Sequence, residues 1–335
     1  MGNNNMKKIA LLATALAMVT GSAMAADMAV KAVKAPPPAP FDPWDVAFGG
    51  AIMSDYIFRG VTQSNHQPSV TAYFEPRYNV NKDLQLYVGT SAESISFANR
   101  AAAEVDVYGG IRPTFGPAAF DIGVWGYLYP GGTCFFGPFA TDFAGNAISP
   151  DCQQNFLQNG NVMKKNVSFF EVYGKLNYTI NDNWAFGVNE FYSPDFLNSG
   201  AWGNYASITG KYTAPSTIFG SSGVGMYVSG EFGRQWLGTS DSFYGVQAFP
   251  NGIKYADYDT WNIGIGFTYK VFTLDLRYSG TDLSKGNCSA FTSAYNASGN
   301  TNVTPINPLG TGSNWCGNAG IAKLSFDLTA VTNLK

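Results

Sequence analysis

The side chains that could do chemistry are few, and most lack a partner. The one histidine, His66, lies between Asn65 and Gln67 in a polar stretch. A hydrolytic triad needs such an imidazole set against a nucleophile and an orienting acid. Nothing around His66 supplies that pattern, so it reads as a solvated loop residue. Glu104 and Asp106 share one phase of a β-strand and have the types for acid–base work; the plainer reading is a solvated carboxylate pair. Cys134, Cys152, Cys288 and Cys316 sit far apart in polar, Gly/Asn-rich segments. Spacings that long, with a distant histidine, do not make a metal site. The expectation is a chain with no enzyme activity, no metal and no cofactor.

The elements that would position these groups begin after an export signal. Lys7 and Lys8 precede an apolar run, and Ala23-Met24-Ala25 has small residues spaced as at a signal-peptidase site. Residues 1–25 therefore read as a signal peptide for Sec export, cleaved near Ala25. Residues 26–43, "ADMAVKAVKAPPPAPFDP", read as a Pro/Ala-rich periplasmic linker. Residues 44–335 remain as one domain. In an exported chain cysteines pair. Four allow three connectivities, and the local ones, Cys134–Cys152 and Cys288–Cys316, each lie within one expected loop. Each closure would contribute on the order of 3 kcal/mol in the chain-entropy model.

Composition narrows the class. Only 13% of residues are charged while 15% are aromatic, yet no apolar run after the signal reaches the length of a spanning helix. The net charge of −3 and the lack of a basic patch argue against nucleic acid. Strict alternation recurs instead. In "AAFDIGVWGYLY", Phe120, Ile122, Val124 and Leu128 share one face, and Asp121, Trp125, Tyr127 and Tyr129 the other. "FEVYGKLNYTI" and "WNIGIGFTYK" repeat the pattern. About twelve such segments occur, near the ~9–11 residues that a tilted membrane strand needs. Their connections alternate between short ones ("NVNKD", "TFGPA", "INDN") and long ones, including both cysteine-bearing segments. The expected fold is all-β: a transmembrane antiparallel up-and-down β-barrel of about 12 strands, with short periplasmic turns and long extracellular loops.

Energetics set the facing. An Arg or Lys turned to lipid at the midplane costs about 2–4 kcal/mol. The phase carrying Phe74, Tyr78, Val105, Val107, Phe170, Val172 and Leu176 must therefore meet lipid. The other phase places Asp55, Glu75, Glu93, Glu104, Asp106, Asp121, Glu171, Glu231 and Asp275 in the lumen, with Arg59, Arg77, Arg112, Lys175, Lys211, Arg277 and Lys323. On this register Asp55 and Arg59 face the lumen near the outer end of the first strand, and Tyr56 and Phe58 fall in the opposite phase, where an outer aromatic girdle would lie. Rings of opposed charge order water and sort solutes; fully paired, the same charges would plug the barrel.

The stretch "SDYIFRGVTQSNHQPSV" resembles the N-terminal signature of TorF-family porins of Gram-negative bacteria, through Ser54, Asp55, Tyr56, Arg59, Gly60, Thr62, Gln63, Ser64 and Pro68. "EFYSPDF", 190–196, resembles that family's Tyr-Ser-Pro-Asp segment. The resemblance implies an outer-membrane barrel classed as a porin by architecture, with no defined solute. The chain departs from it in its cysteine-bearing loops, and from outer-membrane proteins generally in ending Asn333-Leu334-Lys335 rather than on an aromatic. The expected function is passive diffusion of small hydrophilic solutes through a charged lumen. The alternative is a non-conducting structural or surface-interaction barrel acting through disulfide-clamped outer loops. Expected partners are outer-membrane lipid, lipopolysaccharide and the solutes; a homo-oligomer is compatible, although no interface is readable. The expected location is the outer membrane.

Overall fold

The computed structural model describes residues 43–137, 141, 147 and 162–334. The expected signal, nearly all of the expected linker, and Cys152 lie outside the described residues. The strands are β1 (Trp44–Met53), β2 (Ile57–Phe58), β3 (Val61–Thr62), β4 (Ser69–Asn81), β5 (Leu84–Glu93), β6 (Glu104–Phe115) and β7 (Ala118–Leu128). They continue with β8 (Phe169–Thr179), β9 (Trp184–Ser193), β10 (Gly203–Thr213), β11 (Val224–Leu237), β12 (Tyr258–Tyr269), β13 (Phe272–Thr281) and β14 (Ala319–Thr329).

All but β2 and β3 form one closed antiparallel barrel, each strand paired with its chain neighbour and β1 sealed to β14. The seam runs from Ala47 opposite Thr329 to Met53 opposite Lys323. Closure leaves no barrel strand with an unpaired edge, as a lipid-embedded sheet requires. Short turns link β4 to β5, β6 to β7, β8 to β9, and β12 to β13, while long loops gather at the opposite end. The twelve strands of the barrel match the about twelve segments expected from alternation, because a two-residue period is legible wherever one face meets lipid.

The outward face is apolar and exposed: Val88, Val107, Ile122, Val124, Val172, Val188, Ile208 and Ile263 lie on it. Phe74, Tyr78 and Phe170 lie there too, as the energetic argument required. The inward face interlocks through size. Gly89 stands opposite Tyr108, Gly123 opposite Tyr173, and Tyr227 opposite Gly266. A Cβ at any of these glycines would come within 3 Å of the facing tyrosine ring. The missing side chain makes the space that lets the aromatic lie flat along the wall.

One long loop does not stay outside. β1 ends at Met53, and residues 54–68 turn back as the small β2–β3 hairpin. Tyr56 and Phe58 consequently do not belong to an outer girdle. The Tyr56 hydroxyl donates to Glu104 Oε1 at 2.6 Å, and Phe58 packs edge-on against Tyr127. Alternation continues past Met53 in the sequence, but the backbone leaves the ladder there, so phase no longer reports facing.

Other outer loops pack over the mouth. The Cys288–Cys316 disulfide is present and ties the helix Lys285–Thr292 to the segment entering β14. Phe97, Phe196, Tyr255, Tyr258 and Trp315 are buried in the same apolar cluster as the lumen aromatics. The pairing expected for Cys134 falls on Cys152, outside the described residues.

Candidate functional site in the barrel lumen

The site is built around Arg59, at the tip of the β2–β3 hairpin. Phe58 pairs with Val61, leaving Arg59 and Gly60 as a two-residue turn with φ of 47° and 76°. Turns of this hand favour glycine at the second central position. Here Gly60 is also needed for space, since a Cβ would meet Thr281 Cβ at 2.8 Å. The turn aims the guanidinium across the barrel. Arg59 Nη1 and Nη2 donate to the two carboxylate oxygens of Glu171, each at 2.8 Å, and Nη1 also donates to Gln235 Oε1 at 3.1 Å. The side chains are 5% and 0% exposed. The Phe58, Phe191 and Tyr205 rings surround the cation at 4.6, 4.9 and 4.5 Å. Tyr127 donates its hydroxyl to Glu171 Oε2 at 3.1 Å. A forked, ring-stacked contact of this kind is specific to arginine.

The base of the loop is pinned by Asp55, which is buried rather than set on a strand end. Its Oδ1 accepts from Thr62 Oγ1 at 2.6 Å and Ser64 Oγ at 3.0 Å. Its Oδ2 lies 2.6 Å from His66 Nδ1, while His66 Nε2 lies 2.8 Å from the Asn314 carbonyl oxygen. His66 is therefore a strut between two loops, although its side chain stays 40% exposed to solvent as its polar surroundings implied. Both ring nitrogens face acceptors, which only the imidazolium satisfies with two donors, and neither is turned to a hydroxyl it could activate. Burial lowers the tendency of His66 to hold its proton, but the Asn314 carbonyl and Asp55 outweigh it, and its pKa is raised.

Toward the short-turn end the wall carries its own network. Glu75 accepts from Arg77 Nε at 2.6 Å and Arg112 Nη1 at 2.8 Å. Arg112 Nε also reaches Asp121 Oδ2 at 3.2 Å, and its guanidinium lies 3.6 Å over the Tyr87 ring. Tyr87 donates to Asp121 and exchanges a hydrogen bond with Tyr173. On the other side Arg277 pairs with Asp275 at 3.0 Å and donates to Ser229 and Asn262. Tyr227 donates to Asp275, and Lys323 stands opposite Asp275 in the ladder. Glu231 accepts from Tyr205 and Asn262. Lys175 and Lys211 lie over the Tyr173 and Tyr227 rings at 4.4 Å each. Glu93, Glu104 and Asp106 converge near the long-loop end.

Most of the strand charges named from sequence point into the barrel, and several are paired there; Glu93, Glu104 and Asp106 instead gather with one another, and Asp55 and Arg59 belong to the inward loop rather than to the wall. The tyrosines and Gln235 that complete the network were not singled out from sequence. Their signal was present in "DIGVWGYLY", where Trp125, Tyr127 and Tyr129 share the phase of Asp121. An aromatic-rich inward face is the mark of a filled interior.

Residues 38–144 match a bacterial family described only as of unknown function (Gcw_chp). That segment carries the inward loop and the walls from β1 to β7. The TorF-family likeness of 54–68 stays a resemblance, since the matched family assigns no activity. No curated protein matches the chain. Solved structures that resemble it include an outer-membrane channel from Pseudomonas putida F1, 11% identical over 88% of this chain and 99% of that one, with a TM-score of 0.43. Another is the NanC porin, 11% identical over 85% and 100%, with a TM-score of 0.40. LpxR from Salmonella typhimurium is 9% identical over 84% and 99%, with a TM-score of 0.37. Likenesses this distant transfer no activity to this chain.

Proposed function

We propose that this chain is an outer-membrane channel for small hydrophilic solutes, closed in the state described here by loop 54–68. The Arg59–Glu171 pair carries the reading, because the latch belongs to a loop and not to the wall. The wall is held by continuous ladders, whereas the loop is held by side-chain bonds, a few backbone bonds and the packing of Phe58 and Val61, so it can open without breaking the barrel. The polar filling supports passage as well. If the interior served only to hold the barrel together, apolar packing would do as well or better, because replacing a buried ion pair by apolar groups is often neutral or stabilising. With the loop out, the same polar groups would be solvated. Glu75, Arg77, Glu93, Glu104, Asp106, Arg112, Asp121, Glu171, Lys175, Glu231, Asp275, Arg277 and Lys323 would line the path, and Asp55 and Arg59 would control it. The excess of acids gives the path a weak preference for cations. In this reading the protein reaches the outer membrane by Sec export, with the signal removed near Ala25.

A second reading, a non-conducting barrel that works through its outer loops, draws on the Cys288–Cys316 clamp and the burial of Trp315 over the mouth. Conductance of the refolded chain in planar bilayers separates the two. The wild type should stay mostly silent, Arg59→Ala should give discrete ohmic steps, and reductant should raise the open fraction by freeing the capping loop. A folded, heat-modifiable Arg59→Ala barrel that remains silent overturns the channel and favours the second reading. Wild-type steps equal to those of the variant overturn the latch.

A further inference from the structure

Near the long-loop end the barrel brings three acids together and gives them no cation. Glu93 ends β5 and Glu104 begins β6, and the two are direct partners in the ladder. Asp106, two residues on, shares their phase and stands opposite Ser91. Like charges placed opposite each other across a strand pair are unfavourable, and here burial removes the water that would screen them: Glu93, Glu104 and Asp106 are 7%, 2% and 4% exposed. One carboxylate oxygen from each lies within 4.8 Å of the others.

The neighbouring guanidinium groups are committed elsewhere, Arg59 to Glu171 and Arg112 to Glu75 and Asp121. Among the described residues no Lys or Arg pairs with the three acids. What surrounds them is a set of hydroxyl donors. Tyr56 and Tyr129 donate to the two oxygens of Glu104 at 2.6 and 3.0 Å. Thr71 donates to Glu93 Oε1 at 2.9 Å, and Ser91 to Asp106 Oδ2 at 3.2 Å. Each of the latter two acids is left with one buried oxygen, Glu93 Oε2 and Asp106 Oδ1, that makes no hydrogen bond of standard geometry among the described residues, although the Trp125 indole N–H also faces Asp106. A buried carboxylate oxygen without a donor is costly. Two such atoms in one acidic cluster call for a shared positive partner.

We infer that Glu93, Glu104 and Asp106 form a binding site for one divalent cation of calcium's size. Three oxygen ligands spread evenly at about 2.3–2.6 Å from one Ca²⁺ stand no more than about 4.5 Å apart, so carboxylate oxygens within 4.8 Å of one another need at most a small closing movement. Mg²⁺, at about 2.0–2.1 Å, would need them drawn to within about 3.6 Å on the same reckoning. Three carboxylates supply the charge, and water completes the six to eight positions that calcium takes. Because Tyr56 belongs to the inward loop and bonds Glu104, the ion would also brace that loop. The site does not depend on whether the lumen conducts.

The test uses the full chain refolded in detergent without lipopolysaccharide and stripped with chelator, then titrated with CaCl2 by calorimetry. The wild type should take up one Ca²⁺ per chain and melt at a higher temperature with Ca²⁺ than with chelator. Asp106→Asn should weaken binding at least tenfold, while Glu190→Gln, at an exposed carboxylate on β9, should leave it unchanged. In chelator Asp106→Asn should melt no lower than the wild type, since it removes repulsion; should it fail to fold, Glu93→Gln carries the same expectation. No uptake by the wild type, or wild-type uptake by the folded variants, overturns the site. Equal affinity for Mg²⁺ overturns the size assignment.

Discussion

The sharpest perturbation of the lumen is Arg59→Asn, because it sets two energies against each other at one residue. Arg59 occupies the first central position of a two-residue turn in which both central φ values are positive. Asparagine is a preferred residue there, while an ordinary side chain in the left-handed region costs about 1–2 kcal/mol. If the turn alone mattered, Asn would stabilise the loop by roughly 1 kcal/mol. Against that stands Glu171, fully buried and held by both guanidinium nitrogens at 2.8 Å. Removing one partner of a buried pair costs about 3–5 kcal/mol, since the remaining charge is stranded. Tyr127, at 3.1 Å, is a neutral donor that replaces only part of the lost solvation. The expected net loss is about 2–4 kcal/mol. Urea unfolding of the refolded barrel, followed by tryptophan emission, measures it. Glu171→Gln and the double variant close a cycle that isolates the pair, and the coupling should be at least about 2 kcal/mol. An Arg59→Asn protein as stable as the wild type would refute the argument, leaving Arg59 a turn residue with an incidental contact.

Two further outcomes are expected. As the only histidine, His66 gives one imidazole signal by NMR, and its midpoint in the folded protein should lie above the ordinary value of about 6.5. A raised folded pKa means that its contribution to holding the loop is complete below the ordinary value and is lost as pH rises through the raised one. Protection of loop 54–68 from hydrogen exchange should fall over that window, and a midpoint at or below the ordinary value would remove the strut. Ile263→Arg, at an exposed mid-strand position of β12, should destabilise the barrel by about 2–4 kcal/mol in bilayers; a neutral effect would mean that this face does not meet lipid.

Much of the architecture was legible without coordinates. The alternation in "DIGVWGYLY" and "WNIGIGFTYK", and the rhythm of short turns and long loops, determined the barrel, its strands and the phase turned to lipid. The reason is local: a strand between lipid and a polar interior must alternate, and each residue's facing is set by its immediate neighbours. The local Cys288–Cys316 pairing was read on the same ground.

What lies inside the barrel was decided only by tertiary structure. Arg59 and Glu171 are 112 residues apart, and no local period relates a loop tip to the far wall. The departure of the chain from the ladder at Met53, the capture of His66 between Asp55 and Asn314, and the gathering of Glu93, Glu104 and Asp106 all depend on which residues closure brings face to face. Sequence could place these charges on the inner surface. Whether they met water or one another depended on a loop folding inward, and that balance is set by buried contacts between segments remote in the chain.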